Sequence, residues 1–274
     1  MEKLESVSEI QDVLLNILKY IKEICEKHNL EFYLSNGTLL GAIKYNGFVP
    51  WDDDVDIFMP REDYDQFMKL DINTDVYELL SKEKNPSWNM PYAKLKDKRT
   101  YLKENTADFG MELGIAVDIF PLDNWNGNEA RAMRQAKYCS LLRRCLSASI
   151  EEEFQSPRKG IKRLILYIIW KFSKCCGSDY FYKLIQKEVN KGLENKAVSY
   201  SGSVAWALYG KKEVIPSSVF NEKINVLFCD ELFPAPAGYD IYLKNLYGDY
   251  HQDPPKEKQK SHHNVMAWWK DEYK

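Results

Sequence analysis

The residues of this sequence best suited to chemistry are acids that cluster in one short segment. Four aspartates lie within Trp51–Phe58, which reads Trp-Asp-Asp-Asp-Val-Asp-Ile-Phe. Residues two apart in a β-strand point to the same face, so a strand through this segment aims Asp54 and Asp56 together. Like charges on one face repel unless a cation separates them, and Mg²⁺ is held by one or two carboxylates plus substrate phosphates. A solvated acidic turn is the alternative, which the flanking apolar residues disfavour.

A third acid, Asp118, lies in the apolar run Ala116–Phe120, which predicts another strand. An unpaired carboxylate there would be costly, so it needs a metal, a Lys or Arg, or backbone donors. If this strand lies beside that of Asp54 and Asp56, the three carboxylates converge. Such a triad can hold two metal ions ~3.5–4 Å apart for an in-line phosphoryl displacement. A structural salt bridge is the alternative role for Asp118.

A turn, Asn36-Gly37-Thr38, stands at a predicted strand-to-helix junction before the acids. Glycine allows the backbone to approach a phosphate, and a helix N-terminus supplies free N–H groups. The turn is weak evidence by itself. Followed in order by paired acids and a lone acid, it indicates phosphate chemistry.

The elements that position these motifs follow from hydrophobic periodicity and turn residues. We expect a first helix that begins at a Ser8/Gln11 capping box, and a second over Leu39–Tyr45. Residues from about 128 to 195 predict helices, with breaks at Ser156-Pro157 and Gly177-Ser178. The other expected elements are strands over Glu31–Leu34, Val55–Met59, Val76–Leu80, Pro91–Lys96 and Ile115–Phe120, and a helix over Arg61–Leu70.

This pattern predicts an α+β fold in three segments. Residues 1–125 form a catalytic core, a mixed β-sheet with flanking helices. Residues 126–200 form a helical region that faces a membrane or an acceptor. Residues 201–274 pack back on the core and complete the active site.

Composition excludes several classes of protein. The chain has 274 residues, 45% of them hydrophobic, which excludes intrinsic disorder. Its net charge of -3 argues against a nucleic-acid binder. The six cysteines form no CxxC motif and are typical of reduced cytosolic thiols. The first residues lack the features of a signal peptide, and we expect a cytoplasmic protein.

One region is strongly basic. Residues 131–174 carry eleven Lys and Arg against three Glu. They flank the longest apolar run, Leu164–Trp170, which is too short to span a bilayer. Basic and apolar residues together predict an interfacial helix at the inner face of the membrane. A core helix with solvated basic flanks is the alternative.

With these motifs in place, the sequence resembles the nucleotidyltransferase superfamily, and more narrowly the LicD family of phosphocholine transferases, which includes the fukutin-related proteins. The segment Tyr33–Phe67, with its Trp-Asp-Asp-Asp-Val-Asp block, carries most of the resemblance. Thr38 stands where serine is more usual, and 15 residues separate it from Asp54. Further matching segments are Tyr92–Thr100, Val117–Asp123, Pro234–Pro255 and Ser261–His263.

The resemblance implies a nucleotidyltransferase-type mixed sheet and the transfer of phosphocholine from CDP-choline, with CMP leaving. The implied acceptor is a sugar hydroxyl of a lipid-linked teichoic acid or similar surface glycan, and the implied cofactor is one or two Mg²⁺ ions, with Mn²⁺ or Ca²⁺ as substitutes. Asp54 and Asp56 would ligate the metal. Asp118 would be the third ligand or the base that takes the acceptor proton.

The resemblance also implies roles around the acids. Gly37 and Thr38 would contact phosphate, and Lys94 would offset the diphosphate charge unless it is an ordinary surface lysine. His262 and His263, with Tyr247 and Tyr250, would close over the site, unless the histidines belong to a solvated tail.

Choline requires its own recognition, because a quaternary ammonium donates no hydrogen bond and is held by aromatic faces. The chain is rich in aromatic residues, with 18 Tyr and 7 Trp. We expect at least one of Trp88, Tyr92 and Trp125, which lie near Lys94 and Asp118 in sequence, to contact choline. A core role for each ring is the alternative.

Other functions remain open. Transfer of a polyol phosphate, such as ribitol phosphate, is the alternative within the family. A general nucleotidyltransferase would use the same acids and release pyrophosphate. A catalytically inactive binding module would be expected to lack an acid, and all three are present.

Overall fold

The computed structural model of the chain describes residues 1–103, 109, 111–194, 199–260 and 266–271. Helices and strands alternate irregularly within these ranges, so the predicted α+β class is confirmed. The α-helices are α1 (Val7–His28), α2 (Asn36–Tyr45), α3 (Arg61–Phe67), α4 (Glu129–Ile150), α5 (Gly160–Cys176), α6 (Ser178–Leu193) and α7 (Tyr239–Tyr247). The strands are β1 (Glu2–Lys3), β2 (Tyr33–Leu34), β3 (Asp56–Pro60), β4 (Tyr77–Leu80), β5 (Ala93–Asp97), β6 (Thr100–Lys103), β7 (Ala116–Asn124), β8 (Tyr200–Gly202), β9 (Ile215–Pro216), β10 (Lys223–Phe228), β11 (Glu231–Pro236) and β12 (Met266–Trp269).

The main sheet has the strand order β2-β3-β7-β5-β4, and β8 and β9 extend it from β7. β3 and β7 run parallel, whereas the other neighbouring pairs run antiparallel. The register pairs Asp56 with Asp118 across β3 and β7, and Lys94 with Asp118 across β5 and β7. Three charged residues therefore form one row across three neighbouring strands.

Helix α1 packs against β5 and β7 and buries Ile17, Leu18 and Ile21 completely. The predicted Ser8/Gln11 capping box is wrong. Ser6 has an extended backbone, and its Oγ accepts the Glu9 N–H, while the Glu9 carboxylate accepts the Ser6 N–H. Ser8 lies inside the helix. The capping box that begins the helix therefore lies two residues earlier than the sequence pattern suggested.

The region after the core is helical, as its periodicity predicted. α4 packs against both α5 and α6, and the breaks between the three helices fall at the predicted Ser-Pro and Gly-Ser pairs. Within the described residues no helix combines the length and the hydrophobicity needed to cross a membrane.

The C-terminal part contacts the core through several elements besides β8, which pairs with β7. Strand β12 pairs with β1 and β6 in a separate three-stranded sheet. Helix α7 packs against α2. The C-terminal part therefore contacts the helix that begins at Asn36, next to the acidic segment.

Candidate active site

A cavity of about 1010 Å³ lies at the end of the main sheet that carries the first residues of β3 and β7. Its wall includes Gly37 and Lys94 from the core, Ser147 from α4, and Trp206 and Tyr250 from the C-terminal part. Residues from all three predicted segments therefore contribute to one cavity. The division of the chain at residues 125 and 200 itself stays a prediction.

Carboxylates dominate one side of this cavity. Asp52, Asp54, Asp56 and Asp118 all lie on its wall. Burial raises the pKa of Asp56 well above its usual value, and the negative charges of Asp54 and Asp118 raise it further. The structure thus brings together the three acids that the sequence singled out, and adds Asp52.

Two residues at the start of α2 hold Asp56 in place. The Asn36 amide donates a 3.1 Å hydrogen bond to the Asp56 carboxylate, which partly offsets the rise in the pKa of Asp56. The Asp56 backbone N–H donates a 2.8 Å hydrogen bond to Thr38 Oγ1. Thr38 is buried and lies outside the cavity wall, so its hydroxyl orients the strand that carries Asp56 instead of facing a ligand.

Asn36 is itself fixed by the C-terminal part of the chain. Its Oδ1 accepts a 2.8 Å hydrogen bond from the Tyr242 hydroxyl, whose oxygen also accepts the Asn36 backbone N–H at 3.2 Å. Asn36 has a φ of 46°, in the left-handed region that asparagine tolerates better than most residues. A chain of hydrogen bonds therefore runs from α7 through Asn36 to Asp56.

Lys94 lies on the cavity wall beside the acids. Its Nζ lies 2.8 Å from Asp118 Oδ1 and 5.8 Å from the centroid of the Tyr92 ring. Both side chains of the ion pair are mostly buried, and both line the cavity. Asp118 thus has a cationic partner, and Lys94 is not an ordinary surface lysine.

Gly37 lies where Asp52 approaches the start of α2. A Cβ added to Gly37 would come within 2.5 Å of Asp52 Oδ2. The missing side chain therefore leaves room for a carboxylate, and Gly37 lies on the cavity wall beside it.

The acids provide hard oxygen ligands of the kind that Mg²⁺ prefers. In the part of the chain that the structure describes, no group of three His, Cys, Asp or Glu side chains is arranged to hold a metal ion as they stand. Lys94 contacts Asp118, and Asp54 and Asp56 both lie on the cavity wall. The donor set fits Mg²⁺ held by two carboxylates and completed by substrate oxygens.

Aromatic rings also line the cavity, and we call them its aromatic wall. Tyr92 packs against Phe120, with ring centroids 4.6 Å apart, and against Trp206 at 4.9 Å. The Tyr209 and Tyr247 hydroxyls lie 3.2 Å apart. All five rings line the cavity, so a quaternary ammonium group could lie against them.

We expected at least one of Trp88, Tyr92 and Trp125 to contact choline. Trp88 and Trp125 do not line the cavity, so the prediction is wrong for these two rings. Trp88 is fully buried, and its indole N–H donates to the Tyr92 carbonyl. Trp125 is also fully buried, in a second apolar cluster, and donates to the Glu213 carbonyl. Buried tryptophans usually donate their N–H to such a carbonyl. Neither tryptophan lines the cavity, whereas Tyr92 does.

The predicted closing segment is described in part. Tyr247 and Tyr250 line the cavity, whereas His262 and His263 lie outside the described residues. Asp253 accepts hydrogen bonds from the Lys44 ammonium, at 2.6 Å, and from the Tyr45 hydroxyl. The chain that follows α7 therefore contacts the C-terminal end of α2 through residues that line the cavity.

Sequence reasoning missed the role of Asn36 and of Tyr242. The Asn-Gly pair was noted as a turn, and an asparagine before that glycine is a signal for a left-handed backbone. Tyr242 is 206 positions away from Asn36, and nothing near it in the sequence indicates the contact.

Comparison with known proteins identifies relatives of this chain. A family profile described as the nucleotidyltransferase domain of LicD, FKTN and FKRP matches residues 29–143. The lipopolysaccharide cholinephosphotransferase LicD of Haemophilus influenzae is 30% identical over 273 residues, 98% of this chain and 99% of that protein. Uncharacterized proteins of Rickettsia typhi and Rickettsia prowazekii are 37% and 40% identical over 57 and 50 residues, about a fifth of this chain in each case.

The Asn36 contact gives a prediction about Asp56. Asn36→Gly keeps the left-handed backbone but removes the amide, so the pKa of Asp56 should rise further, because a donor to its charged form is lost. The folded protein then binds more protons than the unfolded chain, and the free energy of unfolding should fall with rising pH, starting near ~3.9 and extending to a higher pH than in the wild type. Carboxyl ¹³C NMR titration and denaturant unfolding at several pH values measure both effects.

Asn29→Gly is the matched control, because Asn29 also has a positive φ, of 53°, but ends α1 away from the acids. It should leave the pKa of Asp56 unchanged. The loss of buried hydrogen bonds in Asn36→Gly should cost about 1–3 kcal/mol of unfolding free energy. An unchanged Asp56 titration in Asn36→Gly would contradict the proposed contact.

Proposed function

The chain belongs to the LicD family, and from this premise we propose that it transfers phosphocholine from CDP-choline to a sugar hydroxyl of a surface-glycan precursor, with release of CMP. A lipid-linked teichoic acid or a similar glycan is the acceptor class, and no nucleic acid takes part. The main support for this proposal is the row of Asp56, Asp118 and Lys94 on the cavity wall. The chain is also similar over 98% of its length to a cholinephosphotransferase.

The proposed reaction is a displacement at phosphorus. The acceptor hydroxyl oxygen attacks the choline-bearing phosphorus of the donor, a new P–O bond forms, and the P–O bond to CMP breaks. Lys94 turns from Asp118 towards the donor diphosphate and offsets its charge. Asp118, once relieved of its cation, becomes the stronger base and accepts the hydroxyl proton, or serves as a third metal ligand.

Asp54 and Asp56 are proposed to hold Mg²⁺, for which Mn²⁺ or Ca²⁺ can substitute. When bound, the metal stabilises the negative charge that develops on phosphate oxygens. Asn36 and Thr38 keep Asp56 in the orientation that this requires. Gly37 lies on the cavity wall at the start of α2, where the donor phosphates are proposed to approach.

The aromatic wall supports choline as the transferred group. Tyr92 and Trp206 line the cavity, and the π-faces of aromatic rings attract a quaternary ammonium by about 0.5–2 kcal/mol each. A polyol phosphate would instead need hydrogen-bond partners along the same wall. Transfer of ribitol phosphate from a CDP donor stays the alternative within the family, and release of pyrophosphate would indicate a general nucleotidyltransferase.

The acids give the first test of this proposal. Asp54→Asn and Asp56→Asn remove the negative charge of the proposed metal ligands, and each should lower CMP release from CDP-choline by at least ~100-fold, the range found when a charge-stabilising group is lost. The measurement is chromatographic detection of CMP with Mg²⁺ and an acceptor, and in parallel with EDTA.

Asp71→Asn is the control, because Asp71 is exposed and lies outside the cavity wall. It should retain wild-type turnover. Full CMP release by either cavity variant would refute the assignment of these acids. Pyrophosphate as the product from CTP, without CMP from CDP-choline, would favour the nucleotidyltransferase alternative.

The aromatic wall gives the second test. Trp206→Leu removes one π-face, so the KM for CDP-choline should rise about 3- to 30-fold, in line with a cation–π contact of 0.5–2 kcal/mol. The affinity for CMP, which lacks choline, should stay within ~2-fold, as expected for a part of the ligand that the indole does not contact.

Trp268→Leu serves as the matched control, because that indole packs on Tyr101 in the β6–β12 sheet and does not line the cavity. Its KM for CDP-choline should equal that of the wild type. Equal losses of CMP and CDP-choline affinity in Trp206→Leu would argue against a choline contact at this ring.

We further propose that the protein works in the cytoplasm and contacts the inner face of the membrane through α5. This helix has no acidic residue, and Ser173 is its one buried residue among those described. Its exposed apolar side chains include Leu164, Ile168 and Phe172, each more than half exposed. Exposed apolar residues next to lysines and arginines are typical of interfacial helices. The apolar side chains enter the bilayer surface, and the lysines and arginines are attracted to anionic lipid headgroups.

The α5 proposal is tested by vesicle flotation. The triple variant Leu164→Ser, Ile168→Ser, Phe172→Ser should lose most binding to vesicles that contain phosphatidylglycerol, because it removes the apolar anchor. The double variant Leu227→Ser, Leu232→Ser, in the exposed β10–β11 hairpin, is the control and should float as the wild type does. If the wild type does not float and sedimentation instead shows a dimer that the triple variant loses, α5 covers a second copy of the chain and the membrane proposal is wrong.

A further inference from the structure

A second cavity, of about 640 Å³, adjoins the catalytic one. It is bounded by one face of α4 and by residues 208–211. Leu208 and Tyr209 line both cavities, so a single segment separates them. We call this second cavity the basic pocket, after its lining. Its volume lies within the ~300–1000 Å³ typical of ligand sites.

The lining of the basic pocket is cationic. Four of its residues carry a positive charge and none carries a negative one: Arg134, Lys137, Arg144 and Lys211. Within the described residues no carboxylate forms an ion pair with any of these four. The hydroxyls of Tyr138 and Ser140 lie on the same lining. The pocket therefore combines concentrated positive charge with neutral hydrogen-bond donors, which suits an anion.

The positive charges share one stripe of α4. Arg134, Lys137 and Arg144 are three and seven positions apart along the helix, spacings that place them on one face. Arg134 and Lys137, three positions apart, are close enough to repel each other, and an anion bound between them would relieve this repulsion.

The stripe leads directly to the catalytic cavity. Arg144 precedes Ser147, which lines the catalytic cavity, by one helical turn, an axial rise of ~4.5 Å. The guanidinium of Arg143, the neighbour of Arg144 on α4, lies 5.3 Å from the centroid of the Trp206 ring, which lines the catalytic cavity. A ligand held in the basic pocket can thus extend past residues 206–209 to the acids.

We propose that the basic pocket binds a phosphate group of the acceptor and so positions the acceptor hydroxyl at the catalytic cavity. The nature of the acceptor rests on the proposed function, whereas anion binding by the pocket does not. The shared chemistry is a phosphate ester, which either a diphosphate lipid carrier or a phosphodiester of the glycan itself supplies. Guanidinium groups bind such oxygens in pairs, and two arginines suit either source.

The experiment uses the full chain and two probes: inorganic pyrophosphate for the carrier, and glycerophosphoglycerol for the glycan phosphodiester. The double variant Arg134→Gln, Arg144→Gln should weaken binding of the preferred probe by at least ~10-fold, because charge-assisted hydrogen bonds are lost. Isothermal titration calorimetry measures the affinity and counts the sites. Neither arginine lines the catalytic cavity, so the loss reports on the basic pocket.

The matched control is Lys183→Gln, Lys187→Gln, which removes the same charge from exposed lysines of α6 outside both cavities. It should bind both probes as the wild type does. Tighter binding of pyrophosphate assigns the carrier, and tighter binding of glycerophosphoglycerol assigns the glycan. Equal affinity in the arginine variant and the wild type, or no binding of either probe by the wild type, overturns the proposal.

A separate measurement keeps the two proposals distinct. If the wild type releases no CMP from CDP-choline yet binds a probe through the arginines, the donor assignment fails and the basic pocket stands. If it releases CMP but the arginine variant binds both probes normally, the basic pocket fails and the proposed donor stands.

Discussion

Carboxylates that lie side by side in a partly buried wall are the constraint on which this structure depends. The parallel register of β3 and β7 places Asp56 directly beside Asp118, and burial and mutual repulsion raise the pKa of Asp56. Such an arrangement is stable only if nearby groups stabilise the charges. Lys94 does so for Asp118 from the next strand, and the Asn36 amide does so for Asp56 from the start of α2. The strand order therefore determines where the cation and the amide must be.

This requirement extends to the C-terminal part of the chain. Asn36 can donate to Asp56 only in the orientation that Tyr242 holds, and Tyr242 lies on α7, which packs on α2. Asp253, further on, contacts Lys44 and Tyr45 at the other end of α2. The helix that begins beside the acids is thus held at both ends by residues more than 190 positions away. A core without this C-terminal part would keep its acids, Thr38 and Lys94 but lose the Tyr242 contact that holds the Asn36 amide.

Sequence reasoning reached the features that depend on local pattern. The apolar runs around Asp56 and Asp118 predicted two strands, and the acids were expected to converge if those strands were neighbours. β3 and β7 are neighbours, although β3 begins at Asp56 and so leaves Asp54 outside the strand. Sequence reasoning failed for Thr38, since a hydroxyl before an acidic strand looks the same whether it faces a ligand or a backbone amide. It also failed for Trp88 and Trp125, whose closeness to Lys94 and Asp118 in sequence says nothing about the side of the sheet they occupy. The contact between Asn36 and Tyr242 depends on tertiary packing and has no local signal.

The net charge of -3 conceals a separation of charge that the proposed chemistry requires. Both proposed substrates are anionic, and both must approach a wall of four carboxylates. Distant cations cannot help, because salt screens charges beyond about 8 Å at physiological ionic strength. The compensating charges must therefore lie at the site, and α4 meets this need, since one helix carries the arginines of the basic pocket and, a turn later, part of the catalytic wall. Lys94 already pairs with Asp118 inside the catalytic cavity, and the basic pocket, which shares Leu208 and Tyr209 with that cavity, supplies further cations for an anionic substrate.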